Sequence, residues 1–81
     1  HVRDVGALMV IRWLETGLGW RADMEAGVVL LVNRAHRGGG WSWELSAFHA
    51  DEDARGMQPT DASAKHVAEK AYRAWRARQV V

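Results

Sequence analysis

The segment from Gly40 to His49 places apolar residues at every second position and polar residues between them. The apolar set is Trp41, Trp43, Leu45 and Ala47, and the polar set is Ser42, Glu44 and Ser46. A period of two puts alternate side chains on opposite faces of a β-strand, so the segment predicts a strand with one dry and one wet face. The two indole rings are the largest apolar block in the chain, and other segments must cover them.

The length of 81 residues fits one small domain, residues 1–81. A chain of this size buries roughly 60–65% of the surface that its unfolded form exposes, so its core is thin. Five tryptophans accompany one phenylalanine and one tyrosine. Because each buried indole removes on the order of 200 Å² from water, tryptophan can supply much of the core. The sequence therefore predicts a tryptophan-rich single domain.

Alternating or continuous apolar runs separated by turn residues predict four strands before the end of the chain. The run Val28–Val32 is apolar on both faces, as in a strand covered on both sides. Gly38–Gly40 predicts a hairpin loop that delivers the chain into the tryptophan strand. The predicted strands span about 7–14, 18–25, 28–35 and 41–49, with a short fifth strand at about 54–58.

The last quarter of the chain changes to a helical period. Thr60 or Asp61 can cap the first turn of a helix over about 61–78. Its apolar stripe comprises Ala64, Val67, Ala68, Ala71, Trp75 and the aliphatic stem of Arg78, and its polar face comprises Lys65, His66, Glu69, Lys70, Arg73 and Arg76. The predicted fold class is α+β: an antiparallel meander of four to five strands, followed by one C-terminal amphipathic helix packed on one face.

One helix leaves apolar surface uncovered in such a fold. A four-stranded sheet is about 19 Å wide, whereas a helix covers about 10 Å. The other face also carries apolar residues, namely Val10, Leu14, Val29, Leu31 and Phe48. We therefore expect a homodimer through the sheet, with at least one tryptophan at the margin of the helix. An alternative is that residues 4–15 form a second helix over three strands.

The sequence offers no constellation of catalytic or metal-binding residues. It contains no cysteine, so thiolate chemistry and disulfides are excluded. Asp51, Asp53 and Gly56 match part of a calcium-binding loop, but Arg55 and Ala62 occupy two ligand positions of that template. The glycine triplet lacks the lysine of a phosphate-binding loop. We expect a non-enzymatic protein without a cofactor or a metal.

Charge is unevenly distributed, although the net charge is only +1. Residues 1–64 carry six basic and nine acidic side chains, whereas residues 65–78 carry five basic and one acidic side chain. A basic helix can neutralise phosphates and an exposed tryptophan can stack on bases, which makes nucleic-acid binding one hypothesis. Its candidate residues are Lys65, Lys70, Arg73, Arg76, Arg34 and Arg37.

The second half of the chain resembles, in outline, the sheet-plus-helix end of two nucleic-acid-binding families. One is the arm-binding domains of phage integrases. The other is the double-stranded-RNA-binding domains, which are similar in the spacing of Ala64-Lys65, Ala68 and Ala71. The RNA-binding domains carry a Lys-Lys pair where this chain has Asp61 and Ala62, so the phosphate-binding part of that motif is absent. The resemblance is generic for any strand–strand–helix unit.

Protein binding is the hypothesis that the sequence favours. The acidic residues 51–53 are predicted to form a loop, which is unfavourable near a nucleic acid but suits a partner protein with a basic surface. The candidate partner-binding residues are Asp51, Glu52, Asp53 and Phe48. An adaptor, a subunit or an inhibitor of the kind that phages encode would fit. No apolar run reaches the length of a membrane span, and we expect a cytoplasmic protein.

Overall fold

The computed structural model describes residues 11–25, 27–35, 38–47 and 52–79, and only the backbone of residues 52, 53 and 79. Five strands precede one helix in this part of the chain. They are β1 (Leu14–Glu15), β2 (Gly19–Asp23), β3 (Val28–Arg34), β4 (Trp41–Ala47), β5 (Glu52–Gln58) and α1 (Asp61–Gln79).

The five strands form one antiparallel sheet in the order β1-β2-β3-β4-β5. Each strand therefore pairs with its neighbours in sequence, and β3 lies at the centre. The pairing of Leu30 with Leu45 places apolar side chains of β3 and β4 on the same face. The predicted α+β meander with a C-terminal helix is confirmed.

The helix covers one face of the sheet, which we call the inner face. Its small residues Ala64 and Ala68 are fully buried and let the helix lie close to the strands. Tyr72 and Trp75 fill the core further along the helix, with ring centroids 6.1 Å apart. They pack among side chains from β2, β3 and β4, namely Ala22, Val28, Leu30, Leu45 and Ala47.

The helix begins as its sequence predicts. The Thr60 carbonyl oxygen accepts a hydrogen bond from the Ala64 amide, and the Thr60 hydroxyl oxygen accepts one from the Ser63 amide. This satisfies donors that the first turn leaves free, as expected for an N-cap threonine. Asp61 adds a negative charge in the first turn, which suits the helix dipole.

The tryptophans of the strands all lie on the inner face. Trp20 pairs with Val32 and Trp43 pairs with the same residue from the other side. Trp41 is two residues from Trp43 and shares its face. All three are half-buried, and only Trp75 is buried. The prediction that a single helix leaves tryptophans at its margin is confirmed.

The first predicted strand, 7–14, differs from the structure. Residues 11–13 are not in a strand, and β1 comprises only Leu14 and Glu15. Ile11 and Trp13 are partly buried and pack against the core instead of pairing with β2. The Trp13 indole donates a hydrogen bond to Glu69 of α1 at 2.8 Å, which ties this segment to the helix. Residues 11–15 are not helical either, which counts against the alternative helix over 4–15. The remaining residues of the predicted strand 7–14 and of this alternative helix lie outside the described part of the chain.

The fifth strand is longer than its predicted range of 54–58. It begins at Glu52, and its first two residues pair with Ala47 and Ser46 of β4. The predicted interpretation of Glu52 and Asp53 as part of a loop is therefore wrong, because the ladder between β4 and β5 continues through both residues. The predicted β4 residues 48 and 49 lie outside the described part of the chain.

Candidate functional site

The sheet face opposite the helix, which we call the outer face, presents side chains in three rows across the strands. Strand register defines the rows. The central row is Leu14, Arg21, Leu31, Glu44 and Arg55; one flanking row includes Asp23, Val29 and Ser46; the other includes Asn33, Ser42 and Met57.

Apolar side chains on the outer face are accessible to solvent. Leu14 is 60% exposed and Met57 is 55% exposed, while Val29 and Leu31 at the centre are half-buried. A shallow depression of about 310 Å³ lies between Leu31 and Met57. No helix or strand among the described residues packs on this face. The centre of the outer face is therefore apolar and only partly covered within the described part of the chain.

The charges of the outer face are balanced. Arg21 forms an ion pair with Asp23 at 2.9 Å, and both side chains are more than half exposed. Glu44 is half-buried and has no ion-pair partner within the described ranges. Arg55 lies opposite Glu44 on the next strand and is exposed. Two positive and two negative side chains give the described part of this face no net charge.

The six residues predicted to bind nucleic acid do not form one free basic surface. The Lys65 ammonium lies 3.3 Å from the ring centroid of Trp20, at the flank of the helix. Arg73 is 3.9 Å from Glu69, and Arg76 is 3.1 Å from Glu25. Lys70 is exposed.

The two predicted arginines of the strand region lie apart from this helix surface. The guanidinium of Arg34 stacks over the ring of Trp41 at 5.2 Å, at the end of β3. Arg37 lies outside the described residues. Arg34 therefore makes a cation–π contact with Trp41 at the end of the sheet. The strand pattern did not predict this contact.

The four residues predicted to bind a protein partner are only partly described. Glu52 and Asp53 belong to β5, whereas Asp51 and Phe48 lie outside the described residues. The backbone positions of Glu52 and Asp53 fall at one end of the edge strand of the sheet.

A cleft of about 660 Å³ opens between the β1–β2 turn and the start of the helix. Trp20 and Trp41 line it together with Glu15, Arg34 and Asp61. The cations Lys65 and Arg34 already lie over the two indole rings. Those ring faces are therefore less available for stacking on a base than free indoles would be.

Tyr72 joins the helix to the β2–β3 turn through a small polar network. Its hydroxyl donates a hydrogen bond to the Glu25 carboxylate at 2.8 Å. Arg76 donates to the same carboxylate oxygen and to the Tyr72 hydroxyl oxygen, each at 3.1 Å. The guanidinium of Arg76 thus donates to two acceptors of the same chain, so its charge is already engaged.

The environment of Tyr72 raises the pKa of its phenol above the ordinary value of 10.0. Burial is the largest cause, because it disfavours the phenolate; the hydrogen bond from Arg76 opposes the rise, and the bond to Glu25 adds to it. The protonated phenol therefore stabilises the fold at all pH values below about 10, and this contribution is lost as the pH rises through the elevated pKa.

We expect the free energy of unfolding of the wild-type chain to fall more steeply above pH 10 than that of Tyr72→Phe. Tyr72→Phe should also cost about 0.5–1.5 kcal/mol at neutral pH for the lost hydrogen bond. Urea unfolding at several pH values measures both effects, and because Tyr72 is the one tyrosine of the chain, tyrosinate absorbance reports its ionisation directly. Parallel pH profiles of the two proteins would contradict the assignment.

The described residues contain no group of three or more His, Asp or Glu side chains arranged to hold a metal ion. No helix in the described part of the chain is long and apolar enough to span a membrane.

Comparison with known proteins gives no relative: no family model, no curated protein and no solved structure matches this chain.

Proposed function

We propose that this chain is a non-enzymatic protein-binding module that docks its partner on the outer face of the sheet. The observation that carries the proposal is the row Leu14, Arg21, Leu31, Glu44 and Arg55, which combines apolar side chains with charges of both signs and has no covering element in the described structure. An adaptor, a subunit and an inhibitor would each use such a face, and we expect the cytoplasm as its place of action.

The balance of charge supports a protein partner. A nucleic acid is bound chiefly by cations that neutralise phosphates, and the outer face has no excess of cations among its described residues. A protein interface instead combines apolar contacts with paired charges of both signs. Leu31 and Val29 provide the apolar centre, and Arg21, Asp23 and Glu44 surround it.

Nucleic-acid binding through the helix is the weaker alternative. Lys65, Arg73 and Arg76 are each engaged by an aromatic ring or a carboxylate of the same chain. Binding a phosphate would require breaking or sharing these contacts. Lys70 does not by itself supply the several phosphate contacts that nucleic-acid affinity requires.

The proposal is tested by replacing Leu31 at the centre of the face. Leu31→Glu places a charge where the partner must exclude water, and we expect at least a tenfold loss of partner binding, which corresponds to about 1.4 kcal/mol. Lys70→Glu is the matched control, because it introduces the same side chain on the exposed helix surface. Affinity capture from the cells that produce the protein, followed by titration of the purified partner, measures the effect.

Two results would count against the proposal. Equal partner affinity of wild type and Leu31→Glu would place the binding surface elsewhere. Retardation of DNA or RNA by the wild-type chain, with log affinity falling linearly with log salt and lost in Lys70→Glu, would favour the nucleic-acid alternative. Circular dichroism of each variant separates loss of binding from loss of folding.

A further inference from the structure

We infer that the partner on the outer face is a second copy of this chain, related by a two-fold axis that runs along β3. This inference rests on the proposed function and specifies its partner. The axis would place Leu31 against Leu31 of the second copy and Val29 against Val29. Arg21 of each copy would face Glu44 of the other.

The order of the strands produces this arrangement. β3 is the central strand, with β2 on one side and β4 on the other. Sheets that pack face to face keep their strands within about 30° of each other and lie about 10 Å apart. A two-fold axis along β3 exchanges left and right, so that β2 of one copy lies over β4 of the other. The operation does not shift residues along the strand direction, so each row of one copy lies over the same row of the other copy.

The three middle residues of the central row are self-complementary under this operation, whereas Leu14 at one end would face Arg55 of the second copy. Arg21, Leu31 and Glu44 are register partners on β2, β3 and β4. Reversing the row sets positive over negative on both sides of the apolar centre. Glu44, which has no ion-pair partner within the described part of its own chain, would gain one. Arg21 can bridge its own Asp23 and the partner's Glu44, because a guanidinium carries five donors.

The other two-fold axis that keeps the strands aligned lies in the plane between the sheets, at right angles to the strands. Passing through the central row, it would place β2 over β2 and β4 over β4. Arg21 would then face Arg21, and Glu44 would face Glu44. Like charges that face each other across an interface cost binding free energy, so the axis along β3 is favoured over a perpendicular axis through the central row.

The available area suits a second copy. The strands have 2, 5, 7, 7 and 7 residues, and at about 3.4 Å per residue and about 4.8 Å between strands they give a face of about 460 Å² per copy. Two copies would together bury about 900 Å², slightly less than the roughly 1,000 Å² of a stable specific interface, as in a weak association. The dimer is therefore expected to dissociate on dilution.

The experiment uses two single charge reversals, alone and mixed. Arg21→Glu gives a chain whose own dimer sets carboxylate against carboxylate at both contacts, and Glu44→Arg sets guanidinium against guanidinium. We expect each variant alone to have a dimer dissociation constant about 10- to 100-fold above that of wild type. In a mixture of the two, both contacts are again between opposite charges, and the dissociation constant should return to within about threefold of wild type.

Sedimentation equilibrium over a concentration series measures these constants, and circular dichroism checks that each variant is folded. Lys70→Glu is the control, because it changes a charge away from the sheet. A mixture that stays as dissociated as its components would overturn the two-fold arrangement. A wild-type chain that remains a monomer at all concentrations would overturn the inference but leave the proposed function intact, provided that Leu31→Glu abolishes capture of a different protein.

Discussion

Replacing Trp75 by alanine is expected to lower the free energy of unfolding by about 3–5 kcal/mol. Trp75 is 5% exposed and belongs to the core that joins the helix to the sheet. Domains of this size are stable by about 0.05–0.15 kcal/mol per residue, so the loss is a large share of the total. We expect Trp75→Ala to be partly unfolded at 25 °C, as measured by circular dichroism and urea titration.

Trp75→Phe is the matched control for this prediction. It keeps an aromatic ring next to Tyr72 and removes the indole N–H, which is buried and has no hydrogen-bond partner in the described part of the chain. An unpaired buried donor costs free energy, so its removal offsets part of the lost packing. A loss in Trp75→Phe as large as that in Trp75→Ala would contradict the assignment of Trp75 as a packing residue of the core.

Replacing Gly19 by alanine is expected to cost about 3 kcal/mol, at the upper end for overpacking. A Cβ atom at Gly19 would lie directly against the carbonyl oxygen of Val32 and 2.9 Å from the Cα atom of Asn33. Both are backbone atoms of β3, so relief requires the start of β2 to separate from β3. That movement would also disrupt the turn, where the Thr16 hydroxyl oxygen accepts a hydrogen bond from the Gly19 amide at 3.0 Å.

Gly17→Ala provides the control within the same turn. No heavy atom lies within 4 Å of a Cβ atom built at Gly17, so we expect its free energy of unfolding to stay within about 0.5 kcal/mol of wild type. Urea unfolding monitored by tryptophan fluorescence compares the two variants, because Trp20 follows the turn. Equal stabilities of Gly17→Ala and Gly19→Ala would show that β2 does not approach β3 as closely as described.

The fold was predictable where one local pattern dominates. The alternation of Trp41 to Ala47 and the helical stripe of Ala64, Ala68 and Trp75 each define a face, and the structure buries those faces. The first strand was not predictable, because residues 7–14 place apolar side chains on both faces of a strand. The pattern therefore does not define which face packs against the core. A long-range contact decides its course: the indole of Trp13 binds Glu69, which is 56 residues away in sequence.

The candidate site was predictable only in part. The sequence indicated that one face of the sheet carries apolar residues without a helix to cover them. It also indicated that Ser42, Glu44 and Ser46 lie together on one face of their strand. It did not indicate that Arg21, Leu31 and Glu44 stand in one row, because strand register depends on the turns as well as on the pattern.

The helix cations show the same limit. Sequence spacing placed Lys65 and Arg76 on a solvated face. The structure instead pairs Lys65 with Trp20 and Arg76 with Glu25. Tyr72 was absent from the predicted stripe, yet it is buried at 1% exposure. A helical wheel shows which residues of one helix share a face. It does not predict contacts with residues of other strands and turns.

Thiol labelling tests most directly whether a protein surface covers the outer face. Because the chain has no cysteine, Ser46→Cys introduces a single thiol on the outer face, and Ala74→Cys introduces one on the exposed surface of the helix. At high chain concentration, or with a captured partner, we expect the thiol of Ser46→Cys to react at least about tenfold more slowly than in the dilute chain, whereas the rate of Ala74→Cys should not change. Adding Leu31→Glu should abolish that protection. A reaction rate of the Ser46→Cys thiol that changes neither with chain concentration nor with a captured partner would show that no protein surface covers the outer face.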